Sequence, residues 1–200
     1  KKFANYPFSW IIDPLDGTSN YIHDFPHFAV SIAIKNKEKD RIEHALIYDP
    51  LRQETFTATR GQGAYLDNTQ PFTRRLRVSN RSSIQESLIG ISIPSRGFNA
   101  LTASINKDAL RTMMSQASGV RRTGSAALDL AYVAAGRLDA ALELELAPWD
   151  MAAGVLLVQE AGGIACDLKG GENYFKTRHI IVANPKLCPL VLKAISATTS

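Results

Sequence analysis

The chain has 200 residues, of which 45% are hydrophobic and 21% charged, and its formal net charge at pH 7 is +4. This composition is that of an ordinary folded domain, so it excludes a disordered, collagen-like or coiled-coil protein. No run of about 18 apolar residues occurs, so we expect no membrane-spanning helix and no membrane partner. The length fits a single domain over residues 1–200.

The first half of the chain contains short segments in which apolar and polar residues alternate, as in strands with one buried face. Residues 8–12 are an apolar run that we expect to form a buried strand and to end at the Asp13-Pro14 turn. The alternation then predicts a series of antiparallel strands. Their ranges are 28–34, 42–48 and 54–58, and residues 87–93 are a further strand candidate.

Beyond residue 100 the apolar residues recur every three or four positions, which predicts helices. The predicted helices cover residues 101–116, 125–135, 150–161 and 185–196. Short strands are predicted between them, at 138–146, 164–167 and 179–183, with another beginning at Val120. A run of strands followed by strand–helix alternation favours a layered α/β or α+β fold.

Neither the basic residues nor the cysteines give a specific functional signal. Arginines 74, 75, 77 and 81 lie in a stretch without acidic residues, 68–85. Phosphate contacts with a nucleic acid are one interpretation, and a charged strand edge that resists aggregation is the one we favour. Cys166 and Cys188 form no Cys-x-x-Cys spacing, so we expect packing residues of a cytoplasmic protein and no zinc site.

The segment with the clearest chemistry follows the first predicted strand and reads Asp13-Pro14-Leu15-Asp16-Gly17-Thr18. Two carboxylates held three residues apart in a tight turn repel each other unless a cation lies between them, and hard oxygen ligands suit Mg²⁺. Gly17 allows close approach of the backbone. The N–H groups of Gly17 and Thr18 would begin a helical turn that favours a phosphate. A plain turn with a capping aspartate is the structural alternative.

Phosphatases of the haloacid dehalogenase type also use two aspartates after a strand, one of them as a nucleophile. Their aspartates are separated by one residue, whereas two residues separate Asp13 from Asp16 here. The two carboxylates therefore point differently, and we rank an aspartyl nucleophile well below a metal-activated water.

Two further predicted helix starts carry charged residues. Asp150 follows Pro148-Trp149 at the start of one helix, where an anion complements the helix dipole or caps the helix. Arg121 and Arg122 precede Gly124 at the start of another, which could receive a phosphate or merely be capped. Taken together with the first turn, these features indicate a Mg²⁺-assisted phosphate site.

These segments resemble the two signatures of inositol monophosphatases, in particular the bacterial SuhB-type members of that family. The matching stretches are Asp13-Pro14-Leu15-Asp16-Gly17-Thr18-Ser19-Asn20, Trp149-Asp150-Met151-Ala152-Ala153-Gly154 and Glu160-Ala161-Gly162-Gly163. Residues 56–64 and 121–137 are similar as well, so the resemblance runs through nearly the whole chain. It implies a layered α-β-α-β-α sandwich with an antiparallel sheet first and a mixed sheet second.

The resemblance also implies an activity and a set of site residues. The implied reaction is hydrolysis of a small phosphorylated polyol, myo-inositol 1-phosphate, by water activated by two or three Mg²⁺ ions. A lithium-sensitive homodimer is implied too. The implied metal ligands are Asp13, Asp16, Asp150 and the Leu15 carbonyl, with Asp16 and Thr18 as catalytic residues. The implied substrate-binding residues are Leu15, Asp16, Gly17, Thr18, Arg121, Gly124, Ser125, Ala126, Glu143 and Asp150.

The sequence departs from the family pattern at Ser19, where threonine is common, and in two further respects. Relatives carry a metal-binding, water-activating glutamate in a segment before the first aspartate, whereas only twelve residues precede Asp13 here and none is acidic. We therefore expect that the first helices of the family and this glutamate lie in a segment that the sequence omits. Glu145 stands where relatives often carry glycine, two residues after Glu143.

Other functions fit the same resemblance. Fructose 1,6-bisphosphate and 3′-phosphonucleotides are alternative substrates, although Ser19-Asn20 is more similar to the inositol phosphatases. The resemblance to SuhB-type proteins also implies a non-enzymatic alternative. This alternative is a transcription antitermination factor that contacts RNA polymerase or its associated proteins. Basic residues such as Arg74, Arg75 and Arg77 would suit such a surface.

Overall fold

The computed structural model describes residues 6–68, 72–92 and 107–196. The first half of the chain folds into an antiparallel sheet of six strands, which neighbour one another in chain order. They are β1 (Phe8–Asp16), β2 (Ala29–Asn36), β3 (Arg41–Asp49), β4 (Glu54–Thr59), β5 (Gly63–Asp67) and β6 (Arg74–Arg75). Along β2 to β4, buried residues recur at alternate positions, so one face of the sheet is covered.

The second sheet is mixed, with the strand order β10-β11-β9-β7-β8. Its strands are β7 (Leu88–Ser92), β8 (Gly119–Arg121), β9 (Ala140–Glu143), β10 (Ile164–Cys166) and β11 (Ile180–Ala183). Strand β7 runs parallel to β8 and β9, whereas the β9–β11 and β10–β11 pairs are antiparallel. The prediction of an antiparallel sheet followed by a mixed sheet is therefore confirmed.

The helices lie on and between these sheets. They are α1 (Thr18–Ile22), α2 (Lys107–Gln116), α3 (Ala126–Ala134), α4 (Pro148–Glu160), α5 (Tyr174–Thr177) and α6 (Cys188–Ser196). Helices α3 and α4 pack against each other and fill the space between the sheets, while α2 and α6 cover the outer face of the second sheet. The described residues thus form β-α-β-α layers, and none of their helices is long and apolar enough to cross a membrane.

The main core lies where α3 and α4 meet the first sheet. Phe56, Leu130 and Leu156 are fully buried there. Helix α4 is apolar on nearly all sides and buries eight consecutive residues, as a helix enclosed by other layers must. Gly154 allows the two helices to approach closely, because a Cβ atom on Gly154 would lie 2.5 Å from the Leu130 Cβ.

Two predictions for the first strand were wrong. Residues 8–12 were expected to be buried, yet Phe8, Trp10 and Ile12 are 46%, 65% and 49% exposed on an edge strand.

The predicted end of the strand is also wrong. The strand was expected to stop at Asp13-Pro14, yet β1 continues to Asp16. Proline lacks a backbone N–H, and it is tolerated at sheet edges and bulges for that reason. Both conditions hold here, since β1 is an edge strand and its pairing with β2 shifts register between Asp13 and Asp16.

The other predicted elements agree with the structure apart from small differences at their ends. Strand β5 and the short helix α5 were not predicted, because a Gly-rich turn and a single helical turn hide their periodicity. The predicted helix over residues 101–116 is seen from Lys107, and its first part lies outside the described residues. Residue 93 of the predicted strand over 87–93 also lies outside them.

Candidate metal centre

Three carboxylates from two distant parts of the chain meet at one end of α4. Asp13 and Asp16 come from the last residues of β1, and Asp150 comes from the first turn of α4. One oxygen from each lies within 4.8 Å of the other two. Three anionic oxygens so close together repel one another strongly unless a cation lies between them, and hard oxygen donors suit a divalent metal ion. The residues predicted as side-chain metal ligands are therefore brought together.

The turn between Asp13 and Thr18 is held by its own hydrogen bonds. The Leu15 N–H donates to Asp13 Oδ1 at 3.0 Å, and the Thr18 hydroxyl donates to the Leu15 carbonyl at 3.0 Å. Gly17 has φ of 85°, and a Cβ atom there would lie 2.9 Å from the His27 carbonyl oxygen. Only glycine fits this left-handed position without strain. The predicted ligand Leu15 and the predicted catalytic Thr18 are thus adjacent.

Asp16 is the most deeply buried of the three acids, at 8% exposure. Its Oδ2 accepts hydrogen bonds from the Ser125 hydroxyl and, at 3.0 Å, from the Ala127 N–H. Burial, helped by the charges of Asp13 and Asp150, raises the pKa of Asp16 to about 7, although the two hydrogen bonds act in the opposite direction. A bound cation would favour the ionised form instead.

Asp150 serves two purposes at the start of α4. Its Oδ2 accepts the Ala147 N–H at 2.6 Å, which satisfies a donor just before the helix, and Pro148 occupies the first turn, where its missing N–H costs nothing. Burial raises the pKa of Asp150, and the Ala147 hydrogen bond lowers it. The helix start therefore fixes the carboxylate beside Asp13 and Asp16.

The raised pKa of Asp16 predicts how the stability of the metal-free protein depends on pH. Between pH 3.8 and about 7 the folded protein holds a proton that the unfolded chain has released. The free energy of unfolding should therefore fall as the pH rises through this window, by on the order of 4 kcal/mol from this group. Denaturant titrations with a chelator present give the free energy of unfolding at each pH for the wild type and for Asp16→Asn. The contribution of Asp16 is the difference between the two slopes of this free energy against pH. Equal slopes in the two proteins would contradict it.

The loop before α3 supplies the second group of predicted site residues. Ser125 caps α3 by accepting the Leu128 N–H, and its hydroxyl reaches Asp16. Gly124 has φ of 85°, and a Cβ atom there would lie 2.9 Å from the side-chain amide of Asn20. Ala126 is partly exposed at the start of the helix. Gly124 and Ser125 are therefore in contact with the turn that carries the acidic cluster.

Two predicted substrate residues, Arg121 and Glu143, differ in their exposure to solvent. Arg121 is exposed at the end of β8, and its guanidinium donates to the Val120 carbonyl at 3.0 Å. Glu143 ends β9 with no exposed surface, and its carboxyl group interacts with Asp129 and Asp16. Glu143 therefore lies behind the acidic cluster and does not face solvent. A substrate contact remains a prediction for both residues.

The backbone conformation at Glu145 explains why glycine is common at this position in relatives. Glu145 adopts φ of 59°, in the left-handed region where glycine is favoured. Its N–H donates to His179 Nδ1 at 3.2 Å, and Arg178 donates to its carbonyl at 3.0 Å. Tertiary hydrogen bonds thus hold a conformation that glutamate adopts at a cost of about 1–2 kcal/mol.

Asn20 shapes the site although it was not predicted as a site residue. Its side-chain amide donates to the His27 carbonyl at 2.7 Å and to the Thr123 carbonyl at 2.9 Å. It therefore joins α1 to the loop before α3. Its position directly after Thr18-Ser19 was a signal in the sequence, but the loop that it contacts is about 100 residues away and cannot be identified locally.

Comparison with known proteins places these features in a family. The model of the inositol monophosphatase family matches residues 4–200. The Nus factor SuhB of Pseudomonas aeruginosa is 50% identical over 186 residues, which is 93% of this chain and 66% of that protein. The chain thus spans about two thirds of the length of that relative.

Solved structures agree with this match. The extragenic suppressor protein suhB of Bartonella henselae has a TM-score of 0.88 at 40% identity, covering 98% of this chain and 71% of that one. The inositol monophosphatase of Anabaena has a TM-score of 0.83 at 34% identity, covering 96% and 72%. These similarities support the layered fold described above.

Proposed function

The chain belongs to the inositol monophosphatase family, and on this premise we propose that it is a Mg²⁺-dependent phosphatase whose substrate is myo-inositol 1-phosphate. The observation that carries the proposal is the cluster of Asp13, Asp16 and Asp150, whose oxygens lie within 4.8 Å of one another. Oxygen donors of this kind suit Mg²⁺. The name of the Anabaena relative, inositol monophosphatase, supports the substrate class.

In the proposed site the acidic residues hold the metal ions and the neighbouring groups hold the acids. Asp13, Asp16, Asp150 and the Leu15 carbonyl are the ligands. When bound, Mg²⁺ promotes ionisation of water and stabilises the charge of the transferred phosphate. The Ser125 hydroxyl and the Ala127 N–H keep Asp16 in one orientation, which spares the site from reorganising during the reaction.

The substrate is bound by the turn after β1 and by the loop before α3. The N–H groups of Gly17 and Thr18 contact the phosphate, and the Thr18 hydroxyl, beside the Leu15 carbonyl, orients the attacking water. Gly124, Ser125 and Ala126 bind the polyol with Arg121 at the rim, and Glu143 is buried behind them. A phosphate monoester held in this way needs little from the protein beyond positioning and neutralisation of charge.

A substrate panel tests the proposal. Because the chain spans about two thirds of its curated relative, phosphate release should be measured on the complete gene product with and without Mg²⁺. We expect kcat/KM for inositol 1-phosphate to exceed that for fructose 1,6-bisphosphate and for a 3′-phosphonucleotide by about tenfold or more, corresponding to at least about 1.4 kcal/mol. A higher value for either competitor would replace the substrate, and no Mg²⁺-dependent release from any would overturn the proposal.

A second candidate function rests on the names of several relatives. Two proteins named Nus factor SuhB are 50% and 49% identical to this chain, and one named putative Nus factor SuhB is 42% identical. We infer a role in transcription antitermination through contact with RNA polymerase or its associated factors. Exposed Arg74 and Arg75 on the edge strand β6, followed by exposed Arg77, offer a basic contact surface. Purified Asp150→Asn protein should still retain these factors in a binding assay, and loss of binding together with activity would contradict a separate role.

A further inference from the structure

A buried aspartate outside the acidic cluster lies under the loop before α3. Asp129 is in the first turns of α3 and is 1% exposed. Its Oδ1 accepts a hydrogen bond from the Thr123 hydroxyl at 2.9 Å. A buried carboxylate is costly unless several donors satisfy it, so its presence in a core helix calls for a specific arrangement of partners.

Thr123 links this aspartate to both halves of the candidate site. Its carbonyl accepts the side-chain amide of Asn20 at 2.9 Å, and Asn20 also holds the His27 carbonyl below α1. Its hydroxyl oxygen is 3.4 Å from the Ser125 N–H, which donates to it. Ser125 in turn donates to Asp16. A continuous chain of hydrogen bonds therefore runs from Asp129 to Asp16.

Glu143 lies on the other side of Asp129. Burial raises the pKa of Glu143 well above its usual range, and the neighbouring Asp129 raises it further, while the Ser92 hydroxyl lowers it. Burial also raises the pKa of Asp129, so the two neighbouring carboxyl groups favour keeping a proton between them. The hydrogen bond that fixes Asp129 is therefore the one from the Thr123 hydroxyl, with Glu143 beside it.

We propose that Asp129 is a positioning residue for the metal centre. Through the Thr123 hydroxyl it fixes the loop before α3, so that Ser125 stays on Asp16 and Asn20 stays on the loop. The inference rests on the proposed function, since it assumes that Asp16 is a metal ligand. Outer hydrogen bonds of this kind orient metal ligands and tune affinity for the ion.

The test uses Thr123, where single atoms can be changed. Thr123→Val removes the hydroxyl and keeps the shape, and Thr123→Ser keeps the hydroxyl. Asp129→Asn keeps an acceptor for Thr123 but replaces the carboxylate that faces Glu143. Affinity for Mg²⁺ is measured by calorimetry, together with kcat and KM. We expect Thr123→Val to weaken Mg²⁺ binding roughly tenfold and to lower kcat more than it raises KM, with Thr123→Ser within about twofold of the wild type and Asp129→Asn between them.

Val133→Ala provides a control for general loss of stability. Val133 is fully buried in α3, two turns beyond the first residues of the helix. The Val133→Ala variant should lower the melting temperature at least as much as Thr123→Val does, without changing the affinity for Mg²⁺. Unchanged Mg²⁺ affinity in Thr123→Val, or an equal loss in Val133→Ala, would overturn the positioning role alone. A wild-type protein that binds no Mg²⁺ would overturn the proposed function and the positioning role with it.

Discussion

Asp150→Asn is expected to reduce Mg²⁺-dependent phosphate release at least about 100-fold. The change replaces one of three anionic oxygens in the cluster by a neutral amide. Changes to residues that merely orient a metal ligand cost about 10–100-fold, so loss of a ligand charge should cost more. The amide oxygen can still accept the Ala147 N–H, which preserves the start of α4. Rates measured over a Mg²⁺ titration, with calorimetric affinity for the ion, check this result.

A matched aspartate on the surface provides the control. Asp40 has an 84% exposed side chain that pairs with Lys35, and its φ of 49° suits asparagine. Asp40→Asn should therefore keep its activity and Mg²⁺ affinity within about twofold of the wild type, since an exposed ion pair contributes little. If Asp150→Asn reached the wild-type rate at the same Mg²⁺ concentration, Asp150 would not be a metal ligand.

The acidic cluster could be predicted because its residues lie in two short segments with recognisable local patterns. Asp13 and Asp16 share one turn, and Asp150 is placed by the start of a helix that proline and apolar periodicity mark. The family resemblance implied that the two segments contribute to one metal site. The end of β1 was not predictable in the same way, because the effect of Pro14 depends on whether the strand is at an edge, which only the sheet order reveals.

The groups that support the cluster could not be predicted, because their contacts join distant residues. Asn20 and Thr123 are 103 positions apart in the sequence, and Ser125 reaches Asp16 across 109 positions. No local pattern specifies such pairs. Glu143 shows a related limit, since alternation along β9 does not reveal that all four of its residues are buried between other layers. Packing decides these features, and it depends on the whole fold.

Gly154→Ala is expected to destabilise the protein by about 1–3 kcal/mol, which is typical of overpacking in a dense core. Intrinsic helix propensity alone predicts the opposite sign, a gain of about 1 kcal/mol from replacing glycine inside a helix. The contact geometry decides between them. A Cβ atom on Gly154 would lie 2.5 Å from both Cβ and Cδ2 of Leu130, closer than real side chains approach each other. Leu130 is fully buried and cannot move aside into solvent.

A double-mutant cycle with Leu130 separates the clash from other effects. Leu130→Ala alone should cost about 2–5 kcal/mol, because it removes a buried side chain and leaves a cavity. In Gly154→Ala/Leu130→Ala the new methyl group enters that cavity, so the double change should cost less than the sum of the two single changes. Urea denaturation of the four proteins gives the coupling free energy. Additive effects, or an increase in stability for Gly154→Ala, would contradict a steric clash between position 154 and Leu130.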